Sequence, residues 1–373
     1  MTDFANFAII HRGPIGASFD VTHIYEPIEE IYTYVASSIA IALRALSNDE
    51  ARNWMASLVI TYDQSRTGGG RICANDTTRA HNIVDSFLKK VQRKFPVICI
   101  DEKIKDPRCL GMHRRTDWTG NFDQFDPRAN YVFLNAGTWY LLPGLAVNGL
   151  NRTIPNLNNS ELEQFRTFQF TFAATLVHEV GAHLLITAID NGRNWTPPEM
   201  SASGYVSIEE KEETGEWVYF GESGRWLEKN LYGGTLEFVQ DPARDIKTQS
   251  GIPYLFGEDD KARRIERSVI DQFCRGDSTE FSFPLATDTR TAVDWRTVHR
   301  FGTPASTGSR NGRGNGPVPS RLPQEEVQSR KDGVNRYMSA RGLTAEVLAG
   351  KNIAMSALMR IPMHPQERLT AVA

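Results

Sequence analysis

Cysteine is scarce in this chain, with four among 373 residues. Cys73, Cys99, Cys109 and Cys274 form no C-x-x-C pair. That excludes a zinc knuckle and a dense disulfide frame, and it fits reduced thiols of an intracellular protein. Charge of one sign is lacking as well. The formal net charge is −3, so no broad electrostatic attraction to nucleic acid is expected. The first residues carry no basic stretch followed by a long apolar core, so no secretory signal is expected and the cytoplasm is the expected location. The apolar run at 31–46 is too short and too mixed for a membrane span, and no membrane partner is expected. Gly68, Gly69 and Gly70 have no GK[ST] after them, which makes a loop the reading and not a phosphate cradle. No internal repeat occurs.

The length suits one large domain or two smaller ones. With 40% apolar and 23% charged residues, the composition is that of a globular protein with a substantial core. The most informative stretch is 170–190, FTFAATLVHEVGAHLLITAID. Apolar residues recur at helical spacing (Phe172, Leu176, Val180, Leu184, Ile186) and no proline interrupts them, which predicts one long helix. Its start is expected near Asn159 and Ser160, and its end near Asp190, Asn191 and Gly192. Three ionisable residues stand in its middle: His178, Glu179 and His183. Burying two imidazoles and a carboxylate is costly unless something satisfies them. A divalent metal does so, since neutral imidazole suits zinc and also iron. A carboxylate beside the first ligand can then act on a metal-bound water.

The spacing sets a geometric condition. Residues five apart on an α-helix diverge by roughly 140°, so two such ligands miss a common metal. One extra residue in the turn, a π-bulge, brings them together, and Gly181 inside the gap tolerates it. The motif HEVGAH resembles the HExxH signature of the zincin superfamily with one residue more between the ligands. This HExxxH form is similar to that of the dipeptidyl peptidase III family. The resemblance implies the glutamate-ligand branch, in which a carboxylate on a second helix completes the site. On residues 221–234, GESGRWLEKNLYGG, it implies Glu222 as third metal ligand, with Glu228 accepting a hydrogen bond from a ligating imidazole; Glu209 or Glu210 is the alternative ligand. It also implies a sheet strand before the metal helix, expected at 131–134, whose open edge pairs with an extended substrate.

Elsewhere the chain predicts helices over 27–46 and 78–95, a strand at 56–62 (ASLVITY), strands at 97–100, 216–220 and 235–239, and a helix over 261–273. Residues 102–130 read as a polar loop, with His113, Arg114 and Arg115 as a solvated basic patch. Trp139 and Tyr140 read as core aromatics. Residues 302–333 are rich in Gly, Pro, Ser and Arg and read as a flexible linker, followed by a C-terminal helical segment at 334–373. Residues 1–301 then form the catalytic domain. The expected fold is α+β and zincin-like: a small mixed sheet with backing helices, a central metal-binding helix, and a mainly helical second half.

The expected function is metal-dependent hydrolysis of a peptide or amide bond. His178, His183 and Glu222 hold zinc, and Glu179 acts as the catalytic base on metal-bound water. An oxyanion needs a donor, for which Arg225, Tyr232, Tyr254 and His299 are candidates. The alternative is a non-hydrolytic metal enzyme acting on a small molecule (an oxygenase, cyclase or isomerase). Two histidines and one carboxylate are equally the ligand set of non-haem iron oxygenases.

Overall fold

The computed structural model describes residues 7–13, 21–66, 71–104, 109–115, 118–136, 159–191, 196–197, 200, 207–211, 217–239, 251–259, 261–275 and 282–294. The linker expected at 302–333, the helical segment at 334–373, His299, Gly192, the triple-glycine loop, and Trp139 with Tyr140 lie outside the described residues.

The first half is a five-stranded mixed sheet in the order β2 (Val21–Ile24), β1 (Ile9–Arg12), β3 (Val97–Asp101), β5 (Tyr131–Asn135), β4 (Gly111–His113). The three central strands are parallel, and the outer two run antiparallel to their neighbours. Side chains alternate between the faces, as a strand requires. Ile9, Ile98, Ile100, Val132 and Leu134 join the main core, while Ile10, Val97, Cys99 and Phe133 form a smaller cluster on the other face.

Helices α1 (Glu30–Ser47), α2 (Asp49–Ser65) and α3 (Thr77–Arg93) separate β1 from β3. Asn48 ends α1 and caps α2, accepting from the Glu50 N–H at 2.9 Å. The strand expected at 56–62 is therefore part of a helix. Its β-branched residues suggest a strand only within that short window. Over a longer span, Ala51, Met55, Leu58, Val59 and Tyr62 follow helical spacing and are all buried.

The long helix appears where the sequence puts it, as α4 (Asn159–His178), a π-helical turn (Glu179–Leu184) and α5 (Leu185–Ile189). It packs on α1, so Val35, Ile39, Leu43 and Leu46 share one core with Phe168, Phe172, Leu176 and Val180. It is long and apolar enough to cross a membrane, yet most of it is buried inside this fold.

The second half departs from expectation. Among the described residues it is not mainly helical. β6 (Ser207–Lys211) pairs with β7 (Trp217–Phe220), and a four-stranded antiparallel sheet follows in the order β11 (Thr287–Asp294), β10 (Lys261–Ile265), β9 (Ile252–Phe256), β8 (Thr235–Val239). The helix expected over 261–273 is half strand. Ala262 and Ile265 face inward while Lys261 and Arg264 face outward, and only Arg267–Arg275 forms a helix, α7. A further helix, α6 (Ser223–Tyr232), lies between the long helix and β8 and ends at Gly233, whose φ of 86° suits glycine. The fold is thus α+β.

Candidate metal centre

The π-helical turn spans the six residues EVGAHL, from Glu179 to Leu184. Its wider turn puts His178 and His183 on one side, with ring centroids 5.3 Å apart. The five-residue spacing is thereby reconciled with a shared ligand position. Gly181 is needed for a second reason. A Cβ there would stand 2.6 Å from Leu46 Cδ2 and 3.0 Å from Leu227 Cδ2, so glycine lets α1 and α6 close on the turn.

Glu222 meets both histidines. Its Oε1 lies 2.5 Å from His183 Nε2 and 3.4 Å from His178 Nε2. It is also the N-cap of α6, accepting from the Gly224 and Arg225 N–H groups. The helix N-terminus thus steadies the carboxylate in its charged form. Glu228 lies one turn and a half further on and accepts from His178 Nδ1 at 2.7 Å. Its other oxygen accepts from the Leu236 N–H and from Arg225. This bond fixes the Nδ1–H tautomer of His178 and turns Nε2 toward Glu222.

Glu179 is buried. Its Oε2 accepts from the His113 backbone N–H at 2.7 Å, and its Oε1 lies 3.9 Å from His178 Nε2. Ligand atoms of His178, Glu179 and His183 all fall within 4.8 Å of one another. Glu179 is thus tethered to the sheet by one oxygen and presents the other to the histidines.

Electrostatics favour a cation here. Burial pushes His178 down, but Glu222 and Glu228 outweigh it and hold the imidazole well above its usual value. Burial raises Glu222, and the two histidines bring it well below the carboxylate range. Glu228 is lowered likewise, against burial, by Arg225 and then His178. Three carboxylates face two guanidiniums, Arg225 and Arg115, so the neutral-imidazole site carries an excess negative charge. A divalent ion held there would offset it.

The residues present fit such an ion. Donors bound tetrahedrally to zinc stand roughly 3.4 Å apart, as His178 Nε2 and Glu222 Oε1 do. The 2.5 Å between His183 Nε2 and Glu222 is a direct hydrogen bond, which must open by about 1 Å on the same geometry. The Cα of Gly224 faces the His178 ring closely enough that a Cβ would stand 2.2 Å from Nε2, so only glycine leaves room for that ring.

Other expectations fare differently. β5 is an interior strand, and the edge strand beside the helix is β4, in the stretch read as loop. His113 and Arg115 are not a solvated patch, since both are buried. His113 Nδ1 donates to the Tyr131 carbonyl at 2.9 Å and Nε2 lies 3.1 Å from Thr187 Oγ1. Burial first, then the His183 and Arg115 charges, take its pKa down to about 3 against the carbonyl's opposing effect. Arg115 and Ser223 stand against His183 Nδ1 and Thr196 accepts from Arg115; the sequence reading missed all three. The one signal available was Ser223 next to a proposed ligand.

Among the oxyanion candidates, Arg225 is bound to Glu228 and the Leu236 carbonyl. Tyr232 is fully buried against Phe283, and Tyr254 packs in the second sheet. Glu209 and Glu210 lie in β6, and their side chains are outside the described residues. Comparison with protein-family models, with curated proteins and with solved structures finds no match.

Proposed function

We propose that this chain is a zinc-dependent hydrolase of peptide or amide bonds. It would be zincin-like in its active site, and its HExxxH motif resembles that of the dipeptidyl peptidase III family. The observation that carries the reading is the placing of Glu179: Oε2 bonded to the His113 N–H, Oε1 turned to the histidines. An oxygenase built on the same two histidines and one carboxylate needs no such base.

His178, His183 and Glu222 would hold the ion. Zinc bound there would lower the pKa of a water and polarise a carbonyl. Glu179 Oε1 takes the proton of the attacking water and delivers it to the departing amine nitrogen. The His113 N–H keeps that carboxylate from swinging away. Glu228 keeps the His178 Nε2 lone pair directed at the ion. An extended substrate would lie along the open edge of β4, next to Glu179. Four free cysteines suit a cytoplasmic setting.

Metal analysis of the purified protein, together with Glu179→Gln, tests this. Stoichiometric zinc is expected in both proteins. The variant should lose about 10²–10⁴-fold in turnover on a peptide-library substrate. Stoichiometric iron, or a variant with full turnover, would replace this reading with the oxygenase one.

A further inference from the structure

Gly221 stands directly before Glu222, and backbone closes in on it. A Cβ there would lie 1.9 Å from the Pro197 carbonyl oxygen and 2.5 Å from that of Met200. Real Cβ atoms do not make contacts that short, and a carbonyl has no flexible end to swing aside. Thr196, Pro197 and Met200 are all buried, so their backbone has little room to retreat. Glycine is the residue that lets two backbones approach so closely.

The approach serves hydrogen bonds. The Gly221 N–H donates to the Thr196 carbonyl at 2.9 Å, and the Glu222 N–H donates to the Met200 carbonyl at 2.7 Å. The Met200 N–H donates in turn to the Pro197 carbonyl at 2.9 Å, which brings Met200 back to Pro197. These residues belong to the chain that leaves the long helix after Ile189. The segment that follows His178 and His183 thus grips the backbone of the third carboxylate. The other end of Glu222 is held as well, because its carboxylate accepts from the Gly224 and Arg225 N–H groups. A glutamate side chain has several rotamers to lose on joining a metal. Fixing it at both ends beforehand reduces that loss.

Resting on the metal reading above, we infer that Gly221 is a positioning residue: its missing side chain lets the carbonyls of Thr196 and Met200 clasp the backbone at Glu222 and set that carboxylate against the two histidines.

The test uses the full chain as Gly221→Ala, with Gly251→Ala as a control for lost stability. Gly251 has a φ of 76° and faces Phe238 and Val239 of β8, so alanine is strained there too. Zinc affinity is read by chelator competition, and stability by thermal melting without metal. The visible spectrum of the cobalt(II)-loaded protein reads the geometry of the ligands. Gly221→Ala should weaken zinc binding about 10–100-fold, the range for groups that hold a ligand in place. It should also shift the cobalt bands. Gly251→Ala should melt below wild type and keep its zinc affinity and cobalt spectrum. Wild-type affinity and spectrum in folded Gly221→Ala would overturn the inference and leave the metal reading intact. An equal loss of affinity in Gly251→Ala would do so too, since affinity would then follow stability alone. A wild-type protein that binds no zinc overturns both. If Gly221→Ala does not fold, amide exchange in the zinc-loaded wild type carries the test. The Gly221 and Glu222 N–H groups should then be protected, and exchange at the rates of an unfolded chain would overturn the clasp.

Discussion

Two residues near the histidines show how much depends on one atom. Gly224 presents bare backbone to the His178 ring, and that ring is held from behind by Glu228. It cannot retreat from a new methyl group without losing the Glu228 bond. Gly224→Ala should therefore cut zinc affinity by about 10-fold or more, as loss of an orienting partner does. Chelator competition reads this, and wild-type affinity would show the ring free to move. His113 gives the protein a pH dependence. With its folded pKa near 3, it stays neutral in the fold while the unfolded chain takes up a proton near pH 6.5. The unfolded state then binds more protons below pH 6.5, so the stability present above that pH is lost as pH falls toward 3. His113→Gln keeps the backbone N–H to Glu179 and removes the titration. In metal-free protein, the drop in Tm from pH 7 to pH 5 should be smaller in this variant than in wild type; equal drops would mean that His113 takes no part.

At the scale of elements, the π-helical turn is the feature to perturb. Gly181 sits where Leu46 of α1 and Leu227 of α6 both approach, and both are fully buried. A methyl group there overpacks a closed core. Gly181→Ala should cost about 1–3 kcal/mol, even though alanine favours helix in isolation. Thermal melting reads the loss; a variant more stable than wild type would mean that the turn is not close-packed.

The legibility of these elements follows from the range of the forces that make them. α1, α3 and the long central helix were readable because an apolar stripe at helical spacing lies wholly within each segment. The widened turn was readable because two histidines five apart reach one side of a helix only through it. β10 was not, because KARRI acquires its strand conformation from β9 and β11, which lie elsewhere in the sequence. β4 and Arg115 were hidden for the same reason. A His-Arg-Arg run looks solvated until Glu179, Thr196 and Ser223, 60 to 110 residues away, surround it. Glu222 and Glu228 came from a resemblance, and their convergence on the histidines is a matter of tertiary packing.

Over the whole molecule, the candidate centre lies where two sheets meet one helix. The first sheet reaches it through β4, whose His113 N–H holds Glu179. The second reaches it through β8, whose Leu236 N–H holds Glu228. The long central helix is common to both, buried by α1 on one side and contacted by α6 on another. The two sides are not equally secured. The first sheet owes its order to Ile9, Ile98, Ile100, Val132 and Leu134 in the main core, with no part in the site. α6 is a helix of ten residues whose N-cap is Glu222 itself, and helices of that length depend on tertiary support. A bound ion stabilises whatever it joins in the folded state alone, by about 2.7 kcal/mol at a concentration one hundredfold above Kd. Removing zinc with a chelator should therefore loosen the chain unevenly. Amide exchange should rise across 222–232 and at Met200, whose carbonyl accepts the Glu222 N–H. It should stay unchanged in β1, β3 and β5, which open only with the whole fold. A uniform rise would make the ion a global staple. No rise at all would mean that the Glu222–His183 hydrogen bond replaces the ion without loss, and that the centre is as ordered empty as filled.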